Sequence, residues 1–309
     1  MNEYVIETNQ LTKTYGSFTA LDRVSIHVKK GCIYGLVGDN GAGKSTLLKL
    51  LSGQSFASFG EITLIGKSGK KALQDARRHM GCMIEHPGFF PNMTVEQMLT
   101  YYCIQKGVPD TKKAEEMLRL TGITEKRKCK CRTLSLGQKQ KLGLAIALLG
   151  EPQVLILDEP INGLDPSSIV EFRSLLHRLN EEKNIAILLS SHILPELAQT
   201  AEMYGFLSKG RLIEEISADA LAEKCMNCIE LAVSDVQTYA AVFEKAFPAE
   251  HYKVLPEQTI RIHTPKQPAE AYSRLAMEHR ISITSMRTIQ SSLENYYVQL
   301  KERAAVQTA

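Results

Sequence analysis

Short apolar runs alternate with longer amphipathic stretches along this chain. Residues 4–7, 24–28 and 32–37 are β-like runs. The third leads into Gly38-Asp39-Asn40-Gly41-Ala42-Gly43-Lys44-Ser45-Thr46, and then into an apolar helical pattern over 47–51. Strand, glycine-rich loop and helix, in that order, is the context a phosphate-binding loop requires. Residues 94–122 read as helical. Thr94 and Gln97 have capping-box spacing, and Gly107-Val108-Pro109 stops the first helix. Asp110 can cap a second, which ends near Gly122. A helix over 138–149 carries Leu142, Ile146 and Leu149 on one face and stops at Glu151-Pro152. Residues 81–84 read as a strand. Residues 154–157 and 185–189 are continuous apolar runs, as expected of strands buried on both faces. Strands alternating with helices predict a parallel α/β sheet.

The texture changes near Ile216. Residues 229–233, 259–263 and 281–287 read as strands, and 235–246, 268–279 and 293–301 as helices. Pro248, Pro256, Pro265 and Pro268 fall between these elements. The expectation is a first domain over 1–216, with a helical part at about 92–150, and a small α+β domain over 217–309. The second carries no glycine-rich loop and no catalytic cluster, so its expected role is regulatory or interactive.

Composition narrows the function classes. A chain of 309 residues has room for about two domains. Apolar residues at 44% and charged residues at 23% exclude disorder, collagen and coiled coil as whole-chain readings. Lys and Arg total 37 against 34 Asp and Glu, too balanced for nucleic-acid binding by bulk charge. No stretch approaches the ~18 apolar residues of a membrane span, and the N-terminus lacks the pattern of a signal peptide. Seven cysteines fit free thiols in a reducing cytosol. Cys129, Cys131, Cys225 and Cys228 could offer four thiolates to zinc, but the pairs lie far apart, so free thiols are the reading. The basic run Lys126–Arg132 reads as a solvated turn, with a partner or anionic-lipid contact as the sharper alternative.

Three segments carry chemistry. In Gly38-x₄-Gly43-Lys44-Ser45 the glycines let backbone N–H groups face an anion, and the helix adds its positive end. Lys44 can reach the β- and γ-phosphates, Ser45 can ligate Mg²⁺, and Thr46 can bond a phosphate nearer the base. The second segment is Val154-Leu155-Ile156-Leu157-Asp158-Glu159. Asp158 would hold the metal, mostly through water. Glu159 would orient and deprotonate the attacking water. The third, Leu134-Ser135-Leu136-Gly137-Gln138, opens a helix and so makes a second anion site. A second site makes sense if it binds the γ-phosphate held by another copy of the protein.

With these three segments in the chain order 38–46, 134–138 and 154–159, residues 3–215 resemble the ATP-binding subunit of an ATP-binding-cassette (ABC) transporter. The resemblance implies a P-loop α/β domain with a parallel-sheet core, an antiparallel β subdomain and a helical subdomain, followed by a small α+β domain. It implies that Tyr15 stacks on adenine, that Gly38, Asn40, Gly41, Ala42, Gly43, Lys44, Ser45 and Thr46 hold the nucleotide, and that His192 contacts the γ-phosphate. Two cassettes would dimerise head to tail, so that Ser135, Gly137, Gln138 and Asp165 of each meet the ATP of the other. ATP and Mg²⁺ are the implied cofactors, and no nucleic acid is expected. One position departs from the general pattern. Where the family usually offers a glutamine, the chain reads Met83-Ile84-Glu85-His86-Pro87-Gly88. Glu85 in that loop, with the metal and attacking water as its implied partners, is similar to the subgroup that exports bacitracin or confers lantibiotic immunity. The C-terminal run Ser292–Tyr297 is similar to the tail of drug-export cassettes. The reading is therefore an exporter ATPase on the cytoplasmic face of the membrane, working through separately encoded permease subunits. The rivals are another small-molecule or drug exporter, a soluble ABC ATPase acting on ribosomes or DNA, and a purely regulatory nucleotide-binding module.

Overall fold

The computed structural model describes residues 3–85, 88–108, 111–225, 228–289 and 293–307. The chain forms two compact units, Met1–Ala218 and Asp219–Ala309. The first opens with strands β1 (Tyr4–Tyr15), β2 (Phe18–Val24), β3 (His27–Lys29) and β4 (Ile33–Val37). Helix α1 (Lys44–Ser52), β5 (Phe59–Leu64), β6 (Lys67–Ser68), α2 (Lys70–Arg78) and β7 (Met80–Met83) follow. Three helices come next, α3 (Val95–Lys106), α4 (Thr111–Thr121) and α5 (Leu136–Leu148). The unit closes with β8 (Val154–Asp158), α6 (Pro166–Lys183), β9 (Ala186–Ser191), α7 (Leu194–Ala198), β10 (Met203–Ser208) and β11 (Arg211–Ser217), and α8 (Ala218–Lys224) begins at the boundary.

Two sheets share one core. The larger has the order β11-β10-β4-β9-β8-β7, parallel throughout except for the edge strand β11. The smaller is antiparallel, with the order β2-β1-β5-β6 and with β3 also pairing β1. Every residue of β4, β8 and β9 is buried, which explains their uninterrupted apolar runs. Leu47, Leu48, Leu50 and Leu51 of α1 join the core cluster that holds Val5 and Ile6 of one sheet and Ile156 and Leu188 of the other. Each such burial contributes about 2 kcal/mol, so the loop ahead of α1 starts from a firmly seated helix.

Several expectations need adjustment. The single run expected over 24–28 is two strands. The buried Thr8 hydroxyl donates to Val24 O and accepts from Ile26 N–H, taking the ladder's place where the chain passes from β2 to β3. The helix expected from Gln138 starts two residues earlier, at Leu136. It is buried nearly all round, through Leu142, Leu144, Ala145, Ala147 and Leu148, so Ile146 does not mark its inner face. The Thr94–Gln97 capping box and the left-handed Gly107 that ends α3 are both present. The expected Asp110 cap lies outside the described residues. The basic run folds into two short turns stitched to the start of α3, where Cys129 O and Arg127 O accept the Val95 and Glu96 N–H groups.

The second unit runs β12 (Cys228–Val233), α9 (Val236–Ala246), β13 (His251–Leu255), β14 (Thr259–His263), α10 (Ala269–Glu278), β15 (Ile283–Ile289) and α11 (Leu293–Gln307). Its antiparallel sheet has the order β13-β14-β12-β15, a split βαβ arrangement. Ile229, Leu231, Ile260 and Ile262 pack in one cluster with Tyr239, Phe243, Tyr272 and Leu275 of the helices. No disulfide joins the seven cysteines, all of which lie among the described residues.

Candidate functional site

The carboxyl ends of four neighbouring parallel strands converge where an open α/β sheet offers its binding crevice. β4 ends at Val37, level with Ser191 of β9, and Asp158 of β8 is level with Ser190. β7 ends beside β8, with Met83 level with Leu157.

The loop after β4 needs its glycines. Gly43 has φ +107°, and a Cβ there would stand 2.8 Å from Ala20 O. It is the N-cap of α1, and it supplies no side-chain cap. The first-turn N–H groups of α1 are therefore left for an outside acceptor, at the end where the helix dipole favours negative charge. Asn40 and Gly41 are exposed, Ala42 is buried, and Ser45 and Thr46 are half-buried on the first turn of α1. Lys44 is buried and donates to Gly38 O at 2.6 Å and Asp39 O at 3.2 Å.

Glu159 bridges this loop to β9. Its Oε1 lies 3.1 Å from Lys44 Nζ, and its Oε2 lies 2.8 Å from His192 Nδ1. Its backbone is left-handed at φ +46°, a strained conformation of the kind that persists where the surroundings enforce it. Ser190 does that here. Its hydroxyl donates to Asp158 Oδ1 at 2.6 Å and accepts the Glu159 N–H at 3.0 Å. Nothing in the motif reading singled out Ser190. Its place two residues before His192, on a strand adjacent to the acidic one, is the signal that finds it.

Glu85, just beyond β7, is also left-handed, at φ +62°. Its Oε1 lies 2.6 Å from Lys49 Nζ on α1. His86 and Pro87 lie outside the described residues. Tyr15, at the end of β1, is half exposed, and Lys13 Nζ sits 4.7 Å from its ring centroid. Lys13 also donates to Phe56 O at 2.8 Å, tying β1 to the segment after α1.

The remaining candidates gather at a second place, the N-termini of α5 and α6. Ser135 Oγ accepts the Gln138 N–H at 3.3 Å, and the Ser135 N–H donates to Gln138 Oε1 at 3.1 Å. A Cβ on Gly137 would stand 3.0 Å from Ser168 Oγ, so the glycine permits close packing against α6. Asp165 caps α6, accepting from Ser168 N–H, Ser168 Oγ and Ser167 Oγ. The two serine hydroxyls hold its carboxyl well below the usual carboxylate range.

The first cluster can bind polyphosphate: it has an uncapped helix start, a buried ammonium and a glycine whose side-chain space is already taken. Asp158 and the Ser45 hydroxyl give it hard oxygen donors suited to Mg²⁺. Glu159 is held between the Lys44 ammonium and the His192 imidazole.

Comparison with known proteins agrees with this chemistry. A family model described as ABC transporter matches residues 21–162. The bacitracin transport ATP-binding protein BcrA of Bacillus licheniformis is 37% identical over 296 residues, covering 96% of this chain and 97% of that protein. The lantibiotic transport ATP-binding protein SrtF of Streptococcus pyogenes is 36% identical over 215 residues, covering 70% of this chain and 92% of its own length. A solved structure of cbiO1 from Clostridium perfringens, part of the ABC transporter complex cbiONQ, is 26% identical with a TM-score of 0.66, covering 80% of this chain and 97% of that one. Among the described residues no helix is long and apolar enough to cross a membrane. Fold, site chemistry and full-length similarity lead to one assignment: the chain belongs to the ABC transporter family, as an ATP-binding subunit of the ATP-hydrolysing kind.

Proposed function

We propose that this subunit powers export of a bacitracin-type antimicrobial peptide through separately encoded membrane permease subunits, at the cytoplasmic face of the membrane. The observation that carries the reading is the extent of similarity. The bacitracin-transport relative matches 96% of this chain, the C-terminal unit included, whereas the lantibiotic-transport relative matches 70% of it. Lantibiotic immunity is the second reading, favoured by the similarity of the cassette itself.

The proposed cycle assigns a task to each side chain. Gly38, Asn40, Gly41, Ala42 and Gly43 line the phosphates with backbone N–H groups, Lys44 binds the β- and γ-phosphates, Thr46 bonds a phosphate nearer the base, and Tyr15 stacks on adenine. Ser45, Asp158 and Glu85 are the residues that would hold Mg²⁺, whose contribution is to neutralise charge building on the phosphate oxygens. Glu159 takes the proton of the attacking water, oriented by Ser190 and His192. Two copies pair head to tail, so Ser135, Gly137 and Gln138 of one copy meet the γ-phosphate held by the other, with Asp165 at the contact between copies. The permease is expected to seat on the exposed apolar group formed by Phe90, Tyr101 and Ile104. The Phe90 and Tyr101 rings meet edge to face at 5.4 Å, which keeps two large side chains ordered at the surface.

The test is a susceptibility panel on a strain lacking this chain but keeping the permease. The expected result is sensitivity to bacitracin, restored by the wild-type gene and not by Glu159→Gln. Unchanged bacitracin sensitivity with a gain in lantibiotic sensitivity would replace the first reading with the second.

A further inference from the structure

Lys49 stands one helical turn beyond Ser45, so the two side chains share a face of α1. Its ammonium reaches Glu85 at 2.6 Å. Glu85 occupies the left-handed region at φ +62°, which is uncommon for a residue with a Cβ. The pair is wet, with the Glu85 side chain 65% exposed, so it can open at little cost.

We infer that Lys49 is a positioning residue for Glu85. In the nucleotide-free protein it holds the carboxylate against α1, and the carboxylate turns away from Lys49 when a divalent cation and nucleotide phosphates load the site. The inference rests on the reading of Glu85 as a metal-side group. Lys49 then competes with the cation for one carboxylate, which gives the two a measurable antagonism. It also supplies the charge that lets a glutamate stand in this loop beside Asp158 while no metal is bound. A glutamine at position 85 would be a neutral and weaker partner for ammonium and metal alike.

The test uses the full-length chain and two readouts other than turnover. The first is the Mg²⁺ concentration giving half-maximal binding of a fluorescent N-methylanthraniloyl-ADP. Glu85→Gln should raise it. Lys49→Gln should lower it about threefold, the scale of an exposed ion pair, Lys49→Arg should leave it at the parent value, and Lys49→Gln in a Glu85→Gln background should have no effect. The second readout is hydrogen exchange of the peptide over 80–90 without nucleotide. Lys49→Gln should speed it, because the left-handed backbone loses its support, and Lys49→Arg should restore parent exchange. A Glu85→Gln variant with parent Mg²⁺ dependence defeats the metal-side reading of Glu85 and this inference with it. If Glu85→Gln does weaken Mg²⁺ but Lys49→Gln acts equally in both backgrounds, or not at all, the role of Lys49 alone is overturned.

Discussion

Two helices of this chain, α1 and α5, begin at a short glycine-and-serine segment, and their first turns are in opposite states. At α1 the N-cap is Gly43, with no side-chain cap. At α5 the N-cap is Ser135, and its hydroxyl and the Gln138 amide close a full capping box. An open helix start leaves orphan N–H donors and awaits a ligand. A capping box satisfies two of those donors with the helix's own side chains and steadies the helix without a ligand. In the proposed dimer both face phosphate, so one copy holds a ready site and a latent one. The Ser135 hydroxyl only accepts within that box, so its proton remains to be donated once the other copy brings a phosphate. That difference gives a physical reason for hydrolysis to wait on pairing.

The comparison is broken most severely at α1. Lys44→Ala removes the buried ammonium that faces both the loop carbonyls and Glu159. Loss of a charged phosphate donor costs on the order of 3 kcal/mol or more at the reacting centre. Steady-state ATPase should fall below detection and nucleotide titration should show weakened binding. Turnover near the parent rate would remove α1 from the mechanism.

Glu159→Gln should come next, lowering kcat by ~10²–10⁴, the usual share of a general base. ATP binding should persist, since neither the glycines nor Lys44 is touched. The variant should then accumulate as an ATP-bound dimer on size-exclusion chromatography. A variant that turns over normally has its base elsewhere.

Ser135→Asp sharpens the contrast further. Asp is as good an N-cap as Ser, and its charge suits the helix dipole, so urea unfolding should match or slightly exceed the parent. The same charge would repel a phosphate arriving from the other copy. ATPase should fall by about tenfold to a hundredfold while nucleotide affinity of the isolated chain stays unchanged. Parent ATPase in this variant would mean that α5 never meets phosphate.

What the sequence disclosed, and what it withheld, follows the same physics. The segments at the carboxyl ends of β4 and β8 were legible because wholly buried strands read as unbroken apolar runs, and because glycine, lysine and acidic residues stand at fixed offsets from them. Helix α6 went unread although its signals are strong, with Asp165 at the cap, Pro166 at the first turn and Phe172, Leu175, Leu176 and Leu179 inward. Helix α2 offers little to read, since Ala76 is its only fully buried residue. Strand β13 is an edge strand with no buried residue. Its hairpin turns through left-handed Glu257 and Gln258, where glycine or asparagine would have announced it. Ser190 was findable by its offset from His192, but Lys13 and Lys49 act through contacts across strands and helices, and such contacts leave no spacing in the sequence to find.

The smallest effect is the most discriminating, because this chain contains its own control. Thr94 and Gln97 at α3 form the same capping box as Ser135 and Gln138 at α5, with hydroxyl-to-N–H distances of 3.2 and 3.3 Å. No ligand role is proposed for Thr94. Thr94→Ala and Ser135→Ala should therefore cost similar stability, about 1 kcal/mol each, measured by urea unfolding. In ATPase they should part. Thr94→Ala removes only a cap, so its activity should stay within twofold of the parent at temperatures where both proteins are folded. Ser135→Ala also removes a hydroxyl that would bond a charged phosphate, a contact worth about 1.5 kcal/mol or more, or roughly tenfold in rate. The nucleotide affinity of the isolated chain should not change in either variant, since the first cluster is intact. If the two alanine variants lose activity equally, the loss belongs to helix stability, and α5 is closed for structural reasons alone. If Ser135→Ala loses activity and Thr94→Ala does not, the hydroxyl of α5 has a second partner that the folded single chain does not contain.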